Sequence, residues 1–282
     1  MRFIESINEI RQFVKMSRSQ GKTIGFVPTM GYMHQGHLAL MRQAREECDL
    51  VVVSIFVNPM QFGPSEDFSR YPRDMERDLE LSRQEGVSAV FVPRVEEIYP
   101  PGFNTRVEVE GPTGCLCDLS RPGHFTGVAT VVTKLFNIVL PDRAFFGQKD
   151  AQQTLVIKKM VQDLNMPLEI VVCPTFRESD GLAMSSRNVY LSPEERTQAP
   201  VLYQSLLWAR DQVARGERDA LYLVKRVKEM IIAQTSATVD YVEIRSVPGL
   251  EPVQVLEADS LMALAVRFSG ARLIDNIELR II

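Results

Sequence analysis

The sequence predicts an α/β protein: a doubly wound, mainly parallel sheet over residues 1–174, then a smaller α+β domain over residues 175–282. Strand-like and helix-like patterns alternate to about residue 174, the signature of parallel strands joined by crossover helices. The run Leu50 to Val57 is almost continuously apolar and β-branched, which suits a central strand covered by helices on both faces. After Pro193 the rhythm changes, with two helical patterns followed by three alternating strands, as in a separate α+β unit.

Ser6-Ile7-Asn8-Glu9 reads as a capping box opening a helix that carries Ile7, Ile10 and Val14. The apolar run Thr23 to Val27, ending at Pro28, predicts a strand. A loop containing Gly31 and Gly36 separates it from a helical pattern through His37, Leu38, Met41, Ala44 and Cys48. Beyond the central strand and a polar loop, Asp74 to Glu85 is helical, with Met75, Leu79 and Ser82 on one side and Gly86 as its stop. Val87 to Val92 follows as a strand. Residues 95–122 are irregular apart from a short strand candidate at Arg106 to Glu110. Thr126 to Leu140 is a strongly apolar helix stopped by Pro141. Ala144 to Phe146 and Leu168 to Cys173 are strands flanking a helix over Asp150 to Leu164. Pro174 to Pro193 is a linker or a functional loop. Helices over Pro193 to Arg215 and Arg218 to Gln234 precede strands at Val239 to Arg245, Leu261 to Phe268 and Leu273 to Ile282.

Of 282 residues, 45% are hydrophobic and 24% charged, and 32 Lys+Arg stand against 36 Asp+Glu for a formal charge of -4. Mild acidity argues against coating nucleic acid, which needs a basic surface to release counterions. It leaves room for a single anionic ligand, because a few local cations hold one of those. The longest apolar stretch is far shorter than the roughly 20 residues that span a bilayer, so no membrane partner is expected. The first residues lack the basic-then-apolar order of a signal peptide, and Glu5 and Glu9 do not suit a transit peptide. A cytoplasmic protein is expected. Cys48, Cys115, Cys117 and Cys173 form no C-x-x-C pair and read as reduced thiols.

Three clusters suit an anion. Two of the three histidines, His34 and His37, sit three residues apart where a helix is expected to begin. The unpaired amides and positive dipole there make a phosphate seat that Gly31 and Gly36 let the backbone approach. The competing readings are a glycine turn with two solvent-facing histidines, or a zinc site that would have to recruit distant His124 or Cys115. Gly147-Gln148-Lys149-Asp150, followed by Gln152 and Gln153, lies at a strand–helix junction on the ligand edge of such a sheet. There Lys149 would neutralise phosphate, Gln153 would donate to a polar substrate, and Asp150 is either a ligand contact or a helix cap. Met184-Ser185-Ser186-Arg187 on a glycine-hinged loop suits a phosphate clamp, or else a solvated linker. Gln61, bounded by apolar residues after the central strand, suits a pocket for a small hydroxylated, branched acid. Arg121, in Arg121-Pro-Gly-His-Phe125, faces either phosphate or solvent.

With those stretches in view the chain resembles the pantoate–β-alanine ligases over nearly its whole length. The resemblance rests on Pro28-Thr-Met-Gly with His34-x-Gly-His37, Phe56-Val-Asn-Pro-x-Gln61-Phe-Gly, Arg121-Pro-Gly-His-Phe, Phe146-Gly-Gln-Lys-Asp-x-Gln-Gln153 and Gly181-Leu-Ala-Met-Ser-Ser-Arg-Asn188. The H-x-G-H element alone points only to the wider nucleotidyltransferase superfamily. The resemblance implies a Rossmann-like first domain, a C-terminal lid domain, and a homodimer. It also implies two half-reactions: pantoate and Mg-ATP give an enzyme-bound pantoyl adenylate and pyrophosphate, and the amine of β-alanine then releases pantothenate and AMP. Met30, Gly31, Tyr32, Met33, His34, Gln35, Gly36 and His37 would line the ATP site, completed by Gly147, Gln148, Lys149, Asp150, Phe176, Met184, Ser185, Ser186 and Arg187. Gln61 and Gln153 would hold pantoate. His34, His37, Lys149 and Arg187 would act in catalysis, His37 either as an acid or by electrostatic stabilisation. Two positions depart from the common pattern, with Phe176 where a small aliphatic residue is usual and Gln148 where glutamate is common. The second leaves one carboxylate fewer and assigns no metal ligand. A cytidylyltransferase, a phosphopantetheine adenylyltransferase and a non-catalytic nucleotide sensor are the rival readings.

Overall fold

A computed structural model of the chain describes residues 1–64 and 66–281. In chain order it contains β1 (Arg2–Ile4), α1 (Ile7–Ser19), β2 (Ile24–Thr29), α2 (Gln35–Glu47), β3 (Leu50–Ile55), α3 (Met75–Gln84), β4 (Ala89–Phe91) and α4 (Val95–Ile98). There follow α5 (Cys117–Ser120), α6 (His124–Val139), β5 (Arg143–Gly147), α7 (Ala151–Asp163), β6 (Glu169–Cys173), α8 (Pro193–Gln198) and α9 (Val201–Ala214). The last elements are α10 (Ala220–Gln234), β7 (Thr238–Ser246), β8 (Ser260–Arg267) and β9 (Arg272–Leu279). Two compact units divide them. One holds Met1–Glu110, Arg121–Gln148 and Gln153–Pro174, and the other holds Gly111–Ser120, Lys149–Gln152 and the chain from Thr175 onward.

The first unit is built on a sheet of order β1-β4-β3-β2-β5-β6, every pairing of which is parallel. The β-branched run of β3 sits in its interior, where Val51, Val52 and Val53 are buried. Leu38, Met41 and Ala44 of α2 pack with Val27, Val53 and Phe145 of the sheet, burying the helix's apolar face. β2 runs through Pro28 to Thr29, further than expected, and stays in register with β3 along its length. Its pairing with β5 involves only Gly25 and Phe26, so β2 and β5 part before Pro28. The sheet order reverses between those two strands, and ligands of doubly wound sheets bind outside the carboxyl ends at such a point.

Two expectations need correction in this unit, and one strand lies outside them. Arg106 to Glu110 is not a strand: the Val107 amide donates to Thr130 Oγ1 at 2.9 Å, which ties the segment to α6 instead of to a sheet edge. α6 begins at His124, two residues early, because Gly123 at φ +79° turns the chain into the helix there. β1 was not anticipated, since three residues on a sheet edge are too few to show a period.

The second unit carries the antiparallel sheet β7-β8-β9. Leu202, Leu206, Leu223 and Val227 of α9 and α10 pack with Val242, Ile244, Leu264 and Val266 of the sheet. The helix expected over residues 193–215 is two helices, because Pro200 has no amide to donate and α9 restarts at Val201. The strand expected to reach Ile282 ends at Leu279, and Ile282 itself lies outside the described residues. No helix among the described residues is long and apolar enough to cross a membrane. All four cysteines are free and buried.

Candidate active site

The chain leaves β2 through a loop fixed by two polar side chains. Thr29 Oγ1 donates to the Ser54 carbonyl at 2.8 Å and accepts from the Gly31 amide at 3.2 Å. Gly31 and Tyr32 both have positive φ, +81° and +49°, a combination that turns successive amides toward one point. Asp78 of α3 fills that point: its two carboxylate oxygens accept from the Tyr32 and Met33 amides at 2.7 Å each. A Cβ on Gly31 would lie 2.9 Å from Asp78 Oδ2, so glycine is required on steric as well as conformational grounds. Burial pushes the Asp78 carboxyl upward, and the two amides offset only part of that, leaving it above the usual aspartate range. The Met33 side chain is fully buried in the core of the first unit, whereas Gln35 is exposed.

His34 caps α2. Its Nδ1 accepts from the Gly36 amide at 3.1 Å, and His37 Nδ1 accepts from the His34 amide at 3.3 Å, so each ring satisfies an orphan donor of the helix start. A neutral imidazole has one acceptor and one donor nitrogen. With both Nδ1 atoms accepting, the proton of each ring belongs on Nε2. The two rings lie 4.1 Å apart between centroids, both half-buried. The pair therefore presents N–H donors beside a helix N-terminus, an arrangement suited to phosphate oxygens.

At the carboxyl end of β3 the chain enters a 3₁₀ turn, Pro59–Gln61, started by Asn58. Asn58 is buried, and its Oδ1 accepts from the Met60 amide at 3.2 Å and the Tyr99 hydroxyl at 2.8 Å. Its Nδ2 then donates to Gln61 Oε1 and to the Gly127 carbonyl, at 3.1 Å each. That contact orients Gln61, whose Nε2 lies 3.3 Å from the Met30 thioether. Gly127 of α6 lets the turn approach, since a Cβ there would fall 2.2 Å from the Met60 carbonyl oxygen. Arg121, expected to face phosphate or solvent, is largely shielded from solvent and bonded within the protein. It donates from Nε to Glu66 at 2.9 Å and from NH2 to the Gln61 carbonyl at 3.3 Å, because a carboxylate of the preceding loop comes within reach. Burial pushes the Glu66 carboxyl up, but Arg121 overrides this and holds it below the usual glutamate range.

Gly147 ends β5, Gln148 opens the 3₁₀ turn that follows, and Gln153 sits half-buried on α7. Because the strands are parallel, Met30, Gln61 and Gly147 leave the same edge of one sheet. The remaining expected residues belong to the second unit. The Lys149 carbonyl accepts from Asn276 Nδ2 at 2.9 Å, and its ammonium lies 3.7 Å from Asp150. The Met184 amide donates to the Phe176 carbonyl at 3.0 Å, and Ser185 Oγ accepts from the Arg187 amide at 3.2 Å, capping the turn Ser186–Tyr190. Arg177 braces this loop through a two-pronged pair with buried Asp275, at 2.6 and 2.9 Å. Among the described residues no group of three or more His, Cys, Asp or Glu side chains is placed to share a metal ion, and His124 is engaged elsewhere.

Asn58, Glu66, Asp78, Gly127 and Asn276 were not singled out from sequence, although each holds a residue that was. Asp78 alone left a signal, as a carboxylate four residues before Ser82, on the face of the helix that is buried at both positions, whereas Met75, expected on that side, is exposed.

A model of the family described as "Pantoate-beta-alanine ligase" matches residues 2–278. The curated "Pantothenate synthetase" of Pelotomaculum thermopropionicum is 63% identical over 271 residues, 96% of each chain. That of Carboxydothermus hydrogenoformans is 56% identical over 282 residues, 100% of both. The crystal structure of pantothenate synthetase from Thermus thermophilus superposes with a TM-score of 0.94 at 50% identity, covering 99% of this chain and 100% of that one. A pantoate-beta-alanine ligase from Francisella tularensis, complexed with beta-gamma ATP and beta-alanine, gives 0.80 at 33% identity, covering 98% and 97%.

Proposed function

The chain belongs to the pantoate–β-alanine ligase family, and on that footing we propose how its residues make pantothenate. It is an ATP-dependent ligase of pantothenate biosynthesis. In the first half-reaction the pantoate carboxylate attacks the α-phosphorus of ATP and pyrophosphate leaves. In the second, the β-alanine amine attacks the acyl carbon and AMP leaves. The first step brings anion to anion, so the residues must spread donors over the phosphates as charge moves to the leaving group. His34 and His37 supply Nε2–H donors, and the α2 amides add their dipoles. Gln61 and Gln153 hold pantoate, with Met30 as an apolar wall beside Gln61. Lys149 and Arg187, with Ser185 and Ser186, are assigned to the phosphates from their chemistry and the family resemblance. No residue becomes covalently attached, and placement of the reacting groups supplies the rest.

Mg²⁺ belongs to this proposal as part of the ATP substrate. Such an ion usually keeps several waters and takes one or two carboxylates plus phosphate oxygens. Asp150, whose side chain is 46% exposed beside Lys149, is the carboxylate on hand for that mode. A cytoplasmic enzyme fits the four free cysteines, and a homodimer follows from the family resemblance.

The paired imidazoles with both Nδ1 atoms tied to main-chain amides carry the proposal. ATP–pyrophosphate exchange tests it: exchange should require pantoate and proceed without β-alanine. Exchange with phosphopantetheine in place of pantoate, or none until β-alanine is added, would overturn the two-step ligation.

A further inference from the structure

Gln61 is held at its main chain by groups that the reaction itself does not use. Its carbonyl faces His124 Nδ1 at 2.8 Å and Arg121 NH2 at 3.3 Å, while Arg121 NH1 lies 3.0 Å from His124 Nε2. A guanidinium has donors only, so His124 Nε2 must accept from Arg121. A ring that accepts at Nε2 and donates at Nδ1 is neutral, with its proton directed at the Gln61 carbonyl. Glu66 takes the far edge of the guanidinium through Nε and NH2, which keeps Arg121 from turning away. The chain of contacts is shielded: His124 is 8% exposed, and the Arg121 and Glu66 side chains 17% and 21%.

We propose that Glu66, Arg121 and His124 form a positioning relay that fixes the Gln61 main chain, and through it the acid-binding carboxamide, by way of the neutral Nδ1–H tautomer of His124. The relay rests on the assignment of Gln61 to pantoate. Asn58 sets which way the carboxamide faces, and the relay sets where the turn that carries it stands. The reacting atoms are untouched by any of the three residues, so the effect falls on pantoate binding and not on the chemical step.

Two isosteres of His124 separate this relay from a packing role. Asn places an amide nitrogen where Nδ1 stands and keeps the donor to Gln61. Gln reaches the Nε2 position, keeps an acceptor for Arg121, and loses that donor. His124→Gln should raise the KM for pantoate about tenfold, with kcat and the KM for ATP within about twofold, whereas His124→Asn should stay within about threefold of the parent. Packing alone would rank the two by size or leave them alike, and that ranking would overturn the relay. Glu66→Gln reads the relay from its far end, with an expected rise of about threefold in the pantoate KM alone. An unchanged KM there would also overturn it. Gln61→Ala is the control: if it leaves the pantoate KM unchanged, the assignment of Gln61 falls and the relay with it. If it raises the KM while His124→Gln does not, only the relay falls. On a Gln61→Ala background His124→Gln should add less than about twofold, since coupled residues are not additive.

Discussion

At the carboxyl end of β2, His34 and His37 are held by amides two and three residues away. At the carboxyl end of β3, Gln61 is held by Asn58 beside it and by Arg121 and His124, 60 and 63 positions along the chain. The imidazoles thus inherit their geometry from contacts local to one helix start. Gln61 inherits its geometry from α6, and is only as well placed as that helix is well packed against the turn. One loop in the first region breaks the pattern, since Tyr32 and Met33 hang on Asp78, 46 and 45 positions away. Substitutions that move packing should therefore strike pantoate binding first, and substitutions at Asp78 should strike the nucleotide side.

The strongest break is Gly127→Ala. Its Cβ would meet the Met60 carbonyl oxygen at 2.2 Å and the Gln61 amide nitrogen at 2.7 Å, and main chain gives way only as a whole segment. Overpacking of this kind costs about 3 kcal/mol. A lowered urea midpoint together with a rise of about tenfold or more in the pantoate KM, with the KM for ATP little changed, is expected. Equal rises in both constants would show that the two regions are not separately held.

Asp78→Asn comes next, at about 2 kcal/mol, because the new amide group must point a donor at one of the two loop amides. Here the KM for ATP should rise and that for pantoate should not. Acidity offers a cleaner reading. The Asp78 carboxyl lies above its ordinary 3.8 in the folded chain, burial being the main cause, so between the two values the native state binds more protons than the unfolded one. Its contribution to stability is then fully present below the ordinary value and is lost as pH rises through the folded one. The parent should show that decline in urea midpoint and Asp78→Asn should lack it; equal slopes would place the titration elsewhere.

The same division decides what could be read from sequence. The strand–helix alternation, the buried β3 and the histidine pair are all expressed within windows of a few residues, and each was legible. Arg121 was visible as a motif member, but Glu66 lies in a polar loop without any period, so nothing local revealed the pairing. Asn58 sits in a recognisable stretch, yet its partners Tyr99 and Gly127 are far along the chain. The short strand wrongly expected at Arg106 to Glu110 has the right residue types, and a single long-range bond to Thr130 withdraws it from the sheet edge. Pro200 is the contrary case, a local signal inside the expected helix that should have divided it.

His34→Ser should have the smallest effect on stability and sharpens the comparison most. Serine is among the favoured N-cap residues, and its oxygen can take over an α2 amide that the imidazole now satisfies. The melting temperature should move by no more than about 0.5 kcal/mol implies. The Nε2–H donor, however, has no replacement, and ATP–pyrophosphate exchange should fall about a hundredfold, the usual cost of removing one preorganised donor from developing charge. The pantoate KM should hold, since Gln61 is anchored on other elements. A large stability loss with exchange intact would make His34 a cap and nothing more. A fall in exchange at unchanged stability would mean that the most local piece of the site is also its most chemical one.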